Sequence, residues 1–385
     1  VTRVLHVITG LEHGGAERQL ALLLRHLPPP VRCEVATLTR VGAVGAEIRA
    51  AGVPVHEVGM RGNRDLAALP RLVRLIRRGR YDVVHTHLYR ACVYGRVAAW
   101  MAGTPRIIAT EHSLGDGHIE GRAVTRGVRA LYRATERLGT ATVAVSPTVA
   151  ARLRRWGIRP GRIFVIPNGI DADDFAFDAA RRASTRRRLG IGPDEAVVGA
   201  VGRLVPTKRF DLLIEAVARV GGVRLLLVGT GPLRGTLQQV ADETGAAVRF
   251  AGGTSDVAGA LAAMDVLAAP SVQETFGLGA VEALAAGLPV LYTTCPALDD
   301  LPRGEAVPDG AARRLPSDVR IWAEEIRRAV HETRDRARVP AVVTGRYAIA
   351  AQAAELARLY RPEPLSGEVI PMRERAQDAA TDAAT

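Results

Sequence analysis

The chain has 385 residues, 48% of them hydrophobic and 4% aromatic, with a formal net charge of +12. That length exceeds one ordinary core and points to two domains of globular composition. No apolar run approaches the roughly 18 residues of a membrane span, and Cys33, Cys92 and Cys295 lack any metal-ligand or redox spacing, so they read as reduced thiols of a cytoplasmic protein.

Taken in chain order, "RVLHVIT" is a strand, and its place at the start of the chain leads us to expect no signal peptide. "GAERQLALLLRHL" carries apolar residues at three- and four-residue spacing and is a helix. "RCEVATLT" and "PVHEVGM" read as strands, with helices "GAEIRAAG" and "DLAALPRLVRLIRRG" after each. "YDVVHTH", "PRIIATEHS" and "ATVAVS" complete a strand–helix alternation, which implies a parallel sheet with helices on both faces. The connection "IFVIPNGIDADDF", Ile163 to Phe175, has the turn chemistry of an interdomain linker.

The pattern then restarts. "AVVGAVG", "VRLLLVG", "VRFAG", "VLAAPS" and "PVLYTT" read as strands, with helices "RFDLLIEAVARV", "LRGTLQQVADETG", about 256–263 and 277–286 among them. A charged helix is expected over 317–338 and a last one in "GRYAIAAQAAELARLY"; from about Pro362 the polar composition suggests a disordered tail. The expected fold class is therefore α/β: two Rossmann-like, doubly wound domains facing across a cleft. Their limits are set at 1–168 and 169–345, with the helix 346–362 expected to return to the first domain and a tail at 363–385.

Charge is unevenly divided. Residues 1–168 hold 26 basic and 11 acidic side chains, whereas 169–385 hold 26 and 29. Arg122, Arg126, Arg129, Arg133 and Arg137 recur at three- and four-residue spacing near one helix face. A solvated arginine face and a peripheral contact with an anionic membrane are both compatible with this pattern. Nucleic acid is not, since aromatic interleaving and a binding module are missing.

Among 52 basic residues there is a single lysine, Lys208, in "VGRLVPTKRFD". It follows a strand end and precedes a helix, where free N–H groups already favour anions. Arg203 in the same loop can fork onto phosphate oxygens, while a compact ammonium suits a crowded place beside them. In "SVQETFGLGAVEALAAGLPV", Glu274 sits in a loop and Glu282 inside the next helix, with Gly277 and Gly279 at its opening. Carboxylates close to a phosphate-binding helix tip suit a ligand bearing both hydroxyls and phosphates, such as a nucleotide sugar.

These motifs, in this order, resemble the family 4 retaining glycosyltransferases (glycosyl transferases group 1) of GT-B architecture. The glutamate pair Glu274 and Glu282, the run Gly202, Arg203 and Lys208, the turn Gly229 to Pro232 and "GGAE" at Gly14 to Glu17 carry the resemblance, which spans roughly residues 3–362. It implies that Arg203 and Lys208 bind the donor diphosphate, Glu282 the ribose and Glu274 the transferred sugar. Backbone at Gly202, Gly231, Phe276, Gly277 and Leu278, with Gly14 and Gly15 opposite, would complete the donor site, the base lying near Arg249 and Phe250. His112 aligns with the family's active-site histidine, while His13, His85, His87, Tyr89 and Arg90 are expected on the acceptor side. The resemblance implies a nucleotide-sugar donor, UDP by default, and retention of anomeric configuration without a metal or cofactor. The acceptor would be a saccharide, lipid-linked or small-molecule hydroxyl. One departure is "CPALDDLPRGEAVPDGAARRLP", which replaces a glycine-rich turn bordering the donor site.

Three tempting features are set aside. His85 and His87 share a strand face but find no third ligand cluster in the sequence, so no metal site is expected. "DADD" falls in the linker and reads as turn chemistry. "VGTGPLRG" fails the dinucleotide spacing at Arg234. Two alternatives stay open: a nucleotide-sugar epimerase of GT-B architecture, and a non-catalytic partner protein with a degenerate site.

Overall fold

The computed structural model describes residues 1–363 apart from 13, 63–64, 116, 120–121, 303–304, 333–335 and 337–338. The first half builds β1 (Thr2–Ile8), α1 (Gly15–His26), β2 (Val31–Thr37), α2 (Ala43–Ala50), β3 (Val55–Glu57), α3 (Ala68–Gly79), β4 (Val83–His87), α4 (Tyr89–Ala102) and β5 (Arg106–Glu111). A short antiparallel hairpin follows, β6 (His118–Ile119) with β7 (Arg122–Ala123), then α5 (Arg126–Glu136), β8 (Ala141–Ala144), α6 (Pro147–Arg155) and β9 (Ile163–Val165). Seven strands form one parallel sheet in the order β3-β2-β1-β4-β5-β8-β9. β9 thus takes the first residues of the segment read as a linker, because Ile163, Phe164 and Val165 have a strand edge at β8 to pair with.

The second half runs α7 (Ala179–Leu189), β10 (Ala196–Val201), α8 (Phe210–Val220), β11 (Val223–Val228), α9 (Arg234–Thr244), β12 (Val248–Gly252), α10 (Val257–Ala263) and β13 (Val266–Ala269). Then come α11 (Leu278–Ala285), β14 (Val290–Tyr292), α12 (Pro296–Asp299), β15 (Ala312–Arg314), α13 (Val319–Glu332), α14 (Ala341–Arg346) and α15 (Ile349–Leu359). Its sheet is parallel, in the order β12-β11-β10-β13-β14-β15. Both sheets reverse their strand order beside their first strand, the switch point at which open α/β sheets bind ligands.

Several elements depart from the sequence reading. α7 was not foreseen, because its "AARRASTRRRL" has no apolar stripe. It is held by arginine: buried Arg186 donates to the carbonyls of Ala263, Gly192, Pro193 and Glu195 and pairs with Asp265. The helix expected over 317–338 is described only as Val319–Glu332, and residues 333–335, 337 and 338 of that expectation lie outside the described residues. The last helical pattern is broken in two. Ile170 N–H donates to Tyr347 O at 2.7 Å and Ile349 N–H to Ile170 O at 3.0 Å, so the chain at 347–349 is spent on a bridge to the linker. The tail expected at 363–385 lies, after Glu363, outside the described residues.

After that break α15 lies on α1, and Ile349, Ala353, Leu356, Leu359 and Tyr360 pack with Val4, Val83 and Ile108 of the first sheet. Arg106 closes the end of this helix, donating to Leu359 O at 3.1 Å and Glu363 O at 2.8 Å. Arg106→Met keeps the stem and removes both bonds. It is expected to cost about 1–2 kcal/mol and to lower the thermal midpoint by a few degrees; an unchanged calorimetric midpoint would show that α15 is held by its apolar face alone.

Candidate active site at the interdomain crevice

The loops that follow the strands of the two parallel sheets meet across the crevice. Gly15 opens α1, and a Cβ placed on it would lie 3.5 Å from Leu278 Cδ1 at the start of α11, so these two helix tips nearly touch. From the next turn of α1, Arg18 donates to Thr254 O beyond β12. The loop between β13 and α11 is fastened to the first domain by three bonds. Thr275 Oγ1 donates to His112 O at 2.6 Å, Ser146 Oγ to Thr275 O at 2.7 Å, and Arg152 to Glu274 O at 2.9 Å. None of these tethers has a side-chain signature of its own in the sequence.

On the second domain, the loops after β10 and β11 pack backbone to backbone. A Cβ on Gly229 would stand 1.9 Å from Gly202 O, and one on Gly231 2.4 Å from Leu204 O. This close packing carries Lys208, in the one-turn 3₁₀ segment Pro206–Lys208, to the loop after β13. Its Nζ meets Glu274 Oε1 at 2.5 Å, with both side chains largely buried. The lysine stem runs so near Gly202 that a Cβ there would sit 3.2 Å from Lys208 Cε. Arg203 is exposed in the same loop, and its guanidinium has no hydrogen-bond or ion-pair partner among the described residues.

Gly277 caps α11 at φ 99°, where a Cβ would come within 2.4 Å of Cys295 Sγ, so both conformation and space require glycine. The tip it creates presents free N–H groups to the crevice. Phe276 turns its ring into the core, edge-on to Tyr347 at 5.1 Å, leaving only its backbone near the site. Glu282 lies one turn further along α11, and burial raises its carboxyl from 4.5 to about 7 against the opposing pull of Arg18.

Other expected residues are placed differently. Arg249 and Phe250 lie in mid-strand on opposite faces of β12; Phe250 sits 3.6 Å beneath the Arg234 guanidinium and packs with the α8 and α9 layer. His112 follows β5 and is only partly buried, whereas His85 and His87 are buried in β4 beneath α15. The acceptor side therefore does not receive His85: its ring nitrogens meet Tyr360 Oη and Thr110 Oγ1, each at 2.7 Å. His87 instead bridges His6 and His112. Tyr89 donates to Val128 O and lies against Tyr132, Arg90 is partly buried at the start of α4, and His13 falls outside the described residues. His6, Arg18, Ser146, Arg152, Thr275 and Tyr360 were not singled out from the sequence. Of these, His6 alone had a legible signal, since a doubly wound order places its strand beside "HTH".

Two six- and seven-stranded parallel Rossmann-like sheets with this crevice define a GT-B fold. Residues 13–174 match the family model described as Glycosyltransferase Family 4, and residues 195–332 match Glycosyl transferases group 1. The chain belongs to this glycosyltransferase family. The D-inositol 3-phosphate glycosyltransferase of Mycobacterium marinum is 34% identical over 269 residues, covering 64% of this chain and 55% of that protein. The Mycobacterium bovis protein of the same name is 33% identical over 270 residues, 64% of this chain and 54% of its own length. This chain thus spans about half the length of these curated relatives. Among solved structures, Anabaena HepE in complex with UDP and glucose superposes with a TM-score of 0.80 at 22% identity, over 93% of this chain and 99% of that one. Sucrose-phosphate synthase from Thermosynechococcus elongatus gives 0.70 at 21% identity, over 94% and 98%. At such identities these two likenesses concern the fold.

The raised Glu282 carboxyl has a consequence for stability without ligand. The folded state holds its proton up to about pH 7, while an unfolded glutamate releases it near 4.5. The folded state binds more protons in that window, so stability falls as pH rises through it. Relative to Glu282→Gln, the wild-type thermal midpoint is expected to decline between about pH 5 and 8; parallel curves would contradict the assignment.

Proposed function

We propose that this protein is a metal-independent, retaining glycosyltransferase that moves a hexose-type sugar from a nucleotide diphosphate sugar, with UDP as the nucleotide, to a hydroxyl acceptor. The observation that carries the reading is the convergence of Lys208, Glu274 and the α11 tip on one crevice, with Arg203 exposed at its edge and without a side-chain partner among the described residues. An ammonium, an exposed guanidinium and helix N–H groups suit an anion, and the carboxylate beside them suits sugar hydroxyls. The solved HepE structures carrying UDP, UDP-glucose, or UDP and glucose support the choice of donor, and the named activity of the mycobacterial relatives makes D-inositol 3-phosphate the first acceptor to try.

In this reading Lys208 leaves Glu274 for the diphosphate as donor enters, and Glu274 turns to hydroxyls of the sugar. The acceptor oxygen bonds to the anomeric carbon as the bond from that carbon to the phosphate oxygen breaks. The acceptor's proton passes to the departing phosphate on the same face, which yields retention. Lys208, Arg203 and the α11 amides stabilise the charge that collects on the leaving diphosphate. No cofactor takes part. Glu282, as the carboxylate, accepts from the ribose hydroxyls.

Two experiments test this. With EDTA present, UDP-glucose and D-inositol 3-phosphate are expected to give a glycoside whose anomeric proton keeps the donor's α configuration in NMR spectra. An inverted product, an absolute need for added metal, or a 2- or 4-epimerised donor with no transfer would each overturn a named part of the reading. Lys208→Arg is expected to lower kcat/KM by about 100-fold or more; retention of more than half the activity would remove Lys208 from the diphosphate.

The same reading includes a peripheral contact with anionic lipid. Arg126, Arg129 and Arg133 of α5 and Arg137 just beyond it are exposed, as is Leu131 at 48%, and no described helix is long and apolar enough to cross a membrane. Co-sedimentation with phosphatidylglycerol vesicles, but not phosphatidylcholine vesicles, is expected at low salt and should weaken as salt rises. No pelleting with either lipid would assign these arginines to solvation.

A further inference from the structure

Behind the crevice, three imidazoles form a continuous line through the core of the first domain. His6 of β1 lies beside His85 of β4 in register, and His87 shares their face two residues on. His6 Nδ1 meets His87 Nε2 at 3.0 Å, and His87 Nδ1 meets His112 Nε2 at 3.1 Å. His6 and His87 are buried, and the outer atoms of the line, His6 Nε2 and His112 Nδ1, are buried without a hydrogen-bond partner among the described residues.

Nitrogens of His6, His85 and His87 lie within 4.8 Å of one another, which raises the question of a metal. Their hydrogen bonds answer against it. Both nitrogens of His85 are taken by Tyr360 and Thr110, and both nitrogens of His87 by His6 and His112. Only His6 has a nitrogen to offer without breaking a bond.

Burial holds all four histidines in their neutral form. His6 is pushed down to about 3 and His112 to about 4, and His85 and His87 fall well below the ordinary imidazole value. A neutral imidazole carries one N–H and one lone pair. His87 therefore donates to one neighbour and accepts from the other. If its proton is on Nδ1, it donates to His112 Nε2, which forces the His112 proton onto Nδ1. Its bare Nε2 then accepts from His6 Nδ1–H. If its proton is on Nε2, the whole line reverses, and all three rings carry Nε2–H. Either way the three share one tautomer.

We propose that His87 is a positioning residue for the transfer reaction: through the hydrogen-bonded line His6–His87–His112 it fixes the tautomer and ring orientation of His112 at the edge of the crevice. The assignment of a reaction rests on the proposed function, but the shared tautomer does not. His85 stands beside the line and joins β4 to α15 through Tyr360, so the C-terminal helix braces the same strand.

Protein labelled with ¹⁵N at histidine tests the line directly. Near neutral pH, long-range ¹H–¹⁵N spectra are expected to show His6, His87 and His112 in one common tautomer, with ¹⁵N–¹⁵N couplings across both hydrogen bonds. In His87→Phe the His112 signal should move toward a tautomer mixture, with kcat down about tenfold, the loss of one oriented hydrogen bond, and donor affinity unchanged. His87→Gln keeps one donor and one acceptor and should recover most of that kcat. Opposite tautomers in the wild type, no coupling across either bond, or tightly held zinc released by His6→Phe would overturn the proposal. So would a folded His87→Phe protein with unaltered kcat. A common tautomer in a protein that transfers no sugar would instead leave the line standing and refute the proposed function.

Discussion

The Lys208 ammonium meets the Glu274 carboxylate at 2.5 Å in a partly buried crevice. Both charges have given up water to meet, and their attraction offsets that cost without making the pair a strong source of stability. Around this pair the second domain arranges its loops. Two glycine backbones abut so that the β10 loop can lie against the β11 loop, and the lysine stem fills the passage beside Gly202. The β13 loop that supplies Glu274 is in turn tied to the first domain through Thr275, Ser146 and Arg152. A charge pair on one domain and the fastening of its loop to the other are thus parts of one construction.

The two sheets explain why the site is where it is. Each reverses its strand order beside its first strand, leaving a gap between neighbouring loops at the strand ends. In the first domain that gap is bordered by the tip of α1; in the second it is bordered by the loops bearing Lys208 and Glu274. α15 then returns to the first sheet, with Tyr360 reaching His85 and Arg106 closing the helix end. The histidine line runs under this helix from His6 in the core to the partly buried His112.

Much of this was legible in the sequence where local pattern and final role coincide. Alternating apolar runs gave the doubly wound halves, and the solitary Lys208 with the Glu274 and Glu282 spacing pointed to the crevice. Where side chains work through distant partners, the sequence was mute. α7 has no apolar stripe because Arg186 holds it by carbonyl contacts. Gly345 to Tyr360 reads as one helix, yet Ile170 breaks it from 175 or more residues away by taking backbone bonds at 347 and 349. The histidines of "HTH" look alike in sequence, but one points its bonds toward α15 and the other toward His112, a distinction set by the register of β1, β4 and β5.

Exchange of Glu274 for a nucleoside diphosphate at Lys208 can be followed by calorimetric titration with EDTA present. UDP, GDP and ADP would each be titrated into the wild-type protein and into Lys208→Ala. UDP is expected to bind the wild type without metal, and the variant to lose at least about tenfold in affinity, the worth of one charge-assisted contact. Equal UDP affinity in both proteins, or no binding of any nucleotide to the wild type, would contradict it.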